Sequence, residues 1–220
     1  MPRSSTLLVA VLMCLGGTSA AAQVCSGEMS FAQAPIRAFV GIGLNSTAQT
    51  YHTGVRYGGT RAFGEAEFGM ATYNIGGDAW DYGAGVGLQL GRLQETKGQL
   101  CPQIFVGLSR GPNDLGGTGI NYSEKHFAIG ADAGFVLAHK KGLDLVPTAS
   151  FYIANAWYKL TAPSARDSTG SDTWEILSLG LGFGFNNQVT LAPSIAFPLS
   201  LPGAGRVYGV SFSIKLGASR

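Results

Sequence analysis

Large apolar residues and small or polar ones alternate through most of this chain. In "WDYGAGVGLQLG", residues 80–91, Trp80, Tyr82, Ala84, Val86, Leu88 and Leu90 fall on one parity. Gly83, Gly85, Gly87 and Gly91 fall on the other, with Asp81 and Gln89. A period of two is the mark of an extended strand with unlike faces. A phosphate-cradling G-x-G-x-x-G loop is excluded, because Leu88 stands where its third glycine belongs and no helical pattern follows.

Ten segments share this alternation: 36–45, 51–58, 61–73, 80–91, 100–109, 126–137, 143–158, 174–185, 189–197 and 207–216. Each approaches the roughly 9–11 residues that a tilted strand needs to cross a bilayer. The links alternate as well. Those at 46–50, 74–78, 110–125, 159–173 and 198–206 are long, whereas those at 58–59, 93–98, 139–141 and 186–188 are mostly tight. Outer-membrane barrels have this asymmetry, with short periplasmic turns and longer outer loops. The pattern predicts an all-β, antiparallel up-and-down barrel over 36–217, of ten strands, with eight as the alternative. Large residues would face lipid, and glycines would line a narrow lumen. Pro102, Pro147 and Pro193 fall inside strand patterns, where each removes a ladder donor, so bulges are expected near them.

Composition agrees with a membrane location. Charged residues make up 13% of the chain and glycines number 33, against about 25% charge in an ordinary soluble domain. A net charge of +2 gives no reason to expect a nucleic-acid partner. Residues 1–22 read as a signal peptide: Arg3, the apolar run "LLVAVLMCL" and small residues ahead of a cleavage point after Ala20 or Ala22. That run is too short for a spanning helix. Residues 23–35 would then form a periplasmic N-terminal segment. The expected location is the bacterial outer membrane, as a monomer in contact with its lipids. A soluble, lipocalin-like barrel would need the opposite arrangement, with an apolar interior.

The pattern resembles the small outer-membrane barrels typified by OmpA and OmpX, over about residues 30–217. The likeness is architectural, and no fixed motif carries it. Such chains usually end on an aromatic residue, whereas this one reads "SFSIKLGASR".

Candidate chemistry lies in the ionisable residues on the lumen parity: Arg37, His52, Arg56, Arg61, Glu65, Glu67, Asp81, His126, Asp132, Asp144 and Lys215. Mixed signs in such an interior point to compensating pairs. If Gly58–Gly59 formed a two-residue turn, His52 would face Glu65, and Arg56 would face Arg61. Glu65 and Glu67 have the i, i+2 strand spacing of about 6.5–7 Å, within the range of an inverting glycosidase. Every such carboxylate pair shares that spacing. A lipid A deacylase-like His-x-Ser pair is broken by Ala128 after His126, and no Asp-His dipeptide suggests an omptin-like protease. The network is therefore expected to be structural and the protein not an enzyme. No cofactor or metal is expected, since His52, His126 and His139 lie on separate segments.

Trp80, Tyr82, Trp157 and Trp174 are expected at the outer membrane interface. The expected function is a structural or surface-interaction role through loops 110–125 and 159–173, with a small porin-like channel as the alternative. Cys25 and Cys101 are the cysteines left after signal removal, and both belong on the periplasmic side. A disulfide between them is expected, with two free thiols as the competing reading.

Overall fold

The computed structural model describes residues 25, 36–59, 61–74, 76–93, 98–113, 117–162, 166–200 and 205–217. The strands are β1 (Ile36–Leu44), β2 (Ala48–Gly58), β3 (Ala62–Tyr73), β4 (Asp78–Leu88), β5 (Leu90–Leu93), β6 (Gly98–Arg110), β7 (Asn121–Phe135), β8 (Ala138–Lys140), β9 (Leu143–Thr161), β10 (Ser168–Phe185), β11 (Val189–Pro198) and β12 (Val207–Leu216). β5 prolongs β4 along β6, and β8 prolongs β7 along β9, which leaves ten staves. Every consecutive pair is antiparallel, and β1 pairs β12 to close the ring. Closure gives every stave two neighbours, as backbone inside lipid requires, and beyond Ile176 β10 pairs with β9 alone.

The two faces are inverted relative to a soluble protein. On β1, Ile36, Val40, Ile42 and Leu44 are exposed, while Arg37 and Phe39 are buried. The buried polar set includes Gln99, Gln103, Asp132, Asp144, Thr190 and Ser213. A lipocalin-like interior is excluded by this arrangement. Aromatic side chains stud the outer face toward both ends. Trp80 stacks on Phe68 with centroids 5.3 Å apart, and Tyr82, Trp157 and Tyr208 are exposed near the same end. Phe135 and Phe185 are exposed near the other end.

Each internal proline marks a break in a ladder. The β4–β6 pairing stops at Gly87–Gln103 and resumes at Leu90–Leu100, on either side of Pro102. A register shift follows between Leu90 and Arg92. The β7–β9 ladder ends at Gly134–Thr148, one step before Pro147. Between β10 and β11 it is interrupted from Gly180–Ser194 to Phe183–Leu191, around Pro193. A ring nitrogen has no hydrogen to give, so the partner strand is released at that point.

The strands outrun their expected limits at the long-loop end. β7 starts at Asn121 and β10 at Ser168, so the links shrink to 111–120 and 162–167. Ser123, Lys125, Thr169 and Ser171 fall within links that the alternation leaves outside the strands. They are paired strand positions beyond the apolar band. At the opposite end, Asn186 and Asn187 have φ of 49° and 56°. Asparagine tolerates this left-handed conformation, which suits a tight hairpin.

Trp174 departs from expectation. It shares the parity of Ser178 rather than of Leu177 and borders an internal cavity with Glu67 and His126. The inward glycines make room for rings on neighbouring strands. A methyl at Gly83 would overlap the Phe105 ring, one at Gly87 the Phe63 ring, and ones at Gly41 and Gly107 the rings of His52 and His126. Each of these glycines vacates the space that an inward ring on the next strand occupies. The variant Gly83→Val is therefore expected to cost about 1–3 kcal/mol by overpacking. Adding Phe105→Ala should recover part of that loss. Urea midpoints followed by tryptophan fluorescence in detergent test it, and strictly additive costs would disprove the shared space.

Candidate functional site: the charged interior

The hairpin between β2 and β3 sets the first part of the interior. It closes between Gly59 and Ala62, whose backbone N–H···O bond is 2.9 Å, and not across Gly58–Gly59. The register therefore differs from the expected one. His52 faces Gly69, and Arg56 faces Glu65. Moving the turn replaces an Arg56–Arg61 repulsion with an ion pair. Arg56 Nε donates to Glu65 Oε2 at 2.9 Å, with both side chains largely shielded. Arg61 lies outside β3 on an exposed bend and is not part of the lumen set. Charge pairing across the strands supplies what the Gly-Gly dipeptide alone does not fix.

Arg56 also lies over the Phe39 ring, 4.3 Å from its centroid. Phe39 in turn meets His52 at 6.0 Å. The interior thus layers ring, guanidinium and carboxylate across β1, β2 and β3. Cation–π contact of this kind adds most where water is excluded.

A second group sits across β6, β7 and β9. Asp132 accepts from Gln103 Nε2 at 2.8 Å and from the Tyr152 hydroxyl at 2.6 Å. Gln103 and Tyr152 are hydrogen-bonded to each other as well. Three neighbouring strands therefore meet at one buried carboxylate. Toward the long-loop end, His126 stacks on Phe105, with centroids 5.9 Å apart and planes 12° apart. Its Nδ1 is 3.5 Å from Glu124 Oε1. Glu124 also accepts from the Tyr122 hydroxyl.

Glu65, Glu67, Glu124 and His126 border one cavity of about 350 Å³. Another, of about 270 Å³, is bordered by Arg56, Glu65, Asp132 and Tyr152. Asp81 lies between Gly69 and Ser109, at the long-loop side of Glu67.

The short-turn mouth is basic. Arg37 is wholly buried, faces Lys215 on one side and Arg56 on the other, and donates through Nη2 to the Asn187 carbonyl at 3.3 Å. Asp144 is buried at the same end, opposite Gly184. Cys25 and Cys101 are joined there, with Cα atoms 5.8 Å apart, and both pack with Phe63. The side chain of His139 lies outside the described residues. Among the described residues, no group of three His, Cys, Asp or Glu side chains is arranged to hold a metal ion.

Sequence parity thus places Arg37, His52, Arg56, Glu65, Glu67, Asp81, His126, Asp132 and Lys215 on the inner wall. It did not single out Tyr152, Glu124 or Tyr122. Tyr152 shares its parity with Asp144 and Ser150, which was the available signal. Glu124 and Tyr122 fall in a stretch whose outward face is polar, so no alternation marks it as strand.

No sequence family matches the chain, nor does any curated protein sequence. Solved structures do resemble it. The β domain of the Bordetella autotransporter BrkA matches with a TM-score of 0.53 at 12% identity, over 82% of this chain and 98% of that one. The N-terminal β-barrel domain of Pseudomonas aeruginosa OprF matches with a TM-score of 0.37 at 10% identity, over 81% and 95%. A bacterial polysaccharide outer-membrane secretin matches with a TM-score of 0.45 at 8% identity, over 77% of this chain. The chain spans only 57% of that secretin's length. The fold is that of a small outer-membrane β-barrel.

Proposed function

We propose that this protein is a closed, non-conducting barrel of the bacterial outer membrane whose role is to present the β9–β10 hairpin at the cell surface. The observation that carries the reading is the length of that hairpin, in strands of 19 and 18 residues. Past Trp157 on β9, the outward residues are Lys159 and Thr161. Past Leu177 on β10, they are Glu175, Thr173, Ser171 and Thr169. The hydrocarbon of a bilayer offers these side chains no partner. The hairpin therefore continues, fully paired, beyond the apolar band.

The interior supports the same reading. Rings from Phe39, Phe63 and Phe105 fill the space over glycines, and the ionic groups hold one another across strands. On this reading the rings and ion pairs interrupt the lumen, so that its cavities do not join into a water path across the membrane. On this reading residues 1–22 are removed on export and the barrel works as a monomer. No catalytic step is assigned to it. Glu65, one half of the carboxylate pair, is held by Arg56.

Two measurements test the proposal. Purified barrel in planar bilayers should give no stable conductance steps, and reproducible open channels would favour the porin-like reading instead. Trypsin added to intact cells should cut after exposed Arg166, in the 162–167 link. Cleavage confined to residues 94–97 would mean that the hairpin points into the periplasm.

A further inference from the structure

Three cations stand together on the lipid-facing side of the barrel. Arg110 ends β6, Lys125 is on β7 and Lys159 is on β9, and all three have the outward parity and are exposed. The register groups them tightly. Ser123 lies directly opposite Arg110 on one side and Lys159 on the other. Lys125 is two residues from Ser123, facing Leu108 and Trp157. Each diagonal pair of cations is therefore about 7–8 Å apart at the backbone. The small Ser123 side chain leaves a hollow at their centre. A concavity of about 820 Å³ follows, bordered also by Trp157, Thr169 and Ser171.

The position is as informative as the charge. The next outward residues toward the middle of the band are Leu108, Phe127 and Trp157. The cations thus stand at the step where apolar wall gives way to polar wall, on three adjacent staves. Lys159 meets Asp167 at 2.6 Å, in a pair about half exposed. Arg110 and Lys125 have no ion-pair partner among the described residues. Like charges so placed repel one another, and an anion between them removes that cost.

We infer that this cluster is a docking site for a phosphorylated glycolipid of the surrounding leaflet. Its phosphate would sit over Ser123 among the three cations, and its acyl chains would lie along Leu108, Phe127 and Trp157. The chemistry fits in each part. Arginine and lysine bind phosphate by charge-assisted hydrogen bonds, and basic clusters at a membrane surface recruit anionic headgroups. The hydroxyls of Ser123, Thr169 and Ser171 suit a sugar, and the Trp157 ring lies at the interface, where indole prefers to be. The inference rests on the membrane-spanning reading but not on which role the hairpin plays.

The test is lipid retention by the full barrel, measured by native mass spectrometry after reconstitution into phosphatidylcholine vesicles. The vesicles carry either a bis-phosphorylated glucosamine-disaccharide lipid or its dephosphorylated counterpart. The expected result is selective retention of the phosphorylated lipid. The combined variant R110Q/K125Q/K159Q should weaken it roughly hundredfold, and K125E alone about tenfold. Heat-dependent gel mobility shows that each variant is folded. Inorganic phosphate at millimolar concentration should not displace the lipid. The inference is overturned by equal retention of the dephosphorylated lipid, by full retention in the folded triple variant, or by displacement with free phosphate. A conducting barrel that still retained the lipid would overturn the proposed role and leave this inference standing.

Discussion

The double variant C25S/C101S is expected to lose up to roughly 4 kcal/mol of stability, the chain-entropy figure for releasing a loop of this size. The two cysteines are 76 positions apart. The loop they close contains β1 to β5 and carries the barrel's seam, where β1 meets β12. Freed of the bridge, the unfolded chain gains conformational entropy that the folded barrel must again overcome. Packing adds to the loss, because Cys25, Cys101 and Phe63 form a buried cluster inside the short-turn mouth. The measurement is the urea midpoint of the reconstituted barrel, with and without reductant. Wild type should move toward the double variant on reduction, and the variant should not respond. An unchanged midpoint, or alkylation of both cysteines without reductant, would show that the bridge does not form or does not matter.

Breaking the Arg56–Glu65 pair is expected to be about as costly. The pair is largely shielded from water, at 14% and 12% side-chain exposure. Glu65→Leu would leave the guanidinium facing a leucine, with the Phe39 ring still beneath it. Removing one partner of a shielded pair costs about 3–5 kcal/mol, mostly because the remaining charge stays desolvated. Arg56→Met should fall in the same range. The double variant R56M/E65L should cost clearly less than the sum, since no charge is stranded. A double-mutant cycle in vesicles reads this as a coupling energy. If coupling were near zero, the pair would be decorative, and the register of β2 on β3 would need another cause.

That register shows where sequence reading stops. Alternation along β1, β4 and β12 assigns their faces outright, because each side chain's orientation follows from the pleat alone. Turn placement does not follow in this way. Gly58–Gly59 is a good turn dipeptide in isolation, yet the hairpin closes between Gly59 and Ala62. What decides it is the facing strand, which offers Glu65 to Arg56. Arg61 was misplaced for the same reason, since one shifted turn takes it off the strand. Strand ends were hidden differently. Past the apolar band the outward face of β7, β9 and β10 turns polar, so the apolar-outward alternation that marks the strands elsewhere is lost. The approach of Cys25 to Cys101 was legible because topology puts both at one mouth. Tyr152, which helps tie Asp132 into place, was not, because a tyrosine suits either face of a barrel wall.

The seating of rings over glycines constrains the order in which this sequence can change. At Gly83 a larger residue is blocked while Phe105 keeps its ring, and the same holds for Gly87 and Phe63. An ancestor with two mid-sized side chains at such a site could reach the present pair only by shrinking one before enlarging the other. Each such step passes through a temporary hole in the wall. The lipid side carries no such debt, because one apolar residue there can replace another without consulting its neighbour. Divergence should therefore run fast on the outer parity and move in linked pairs on the inner one. Two barrels of this kind can keep the same interior geometry while almost nothing in their outward-facing sequence remains in common.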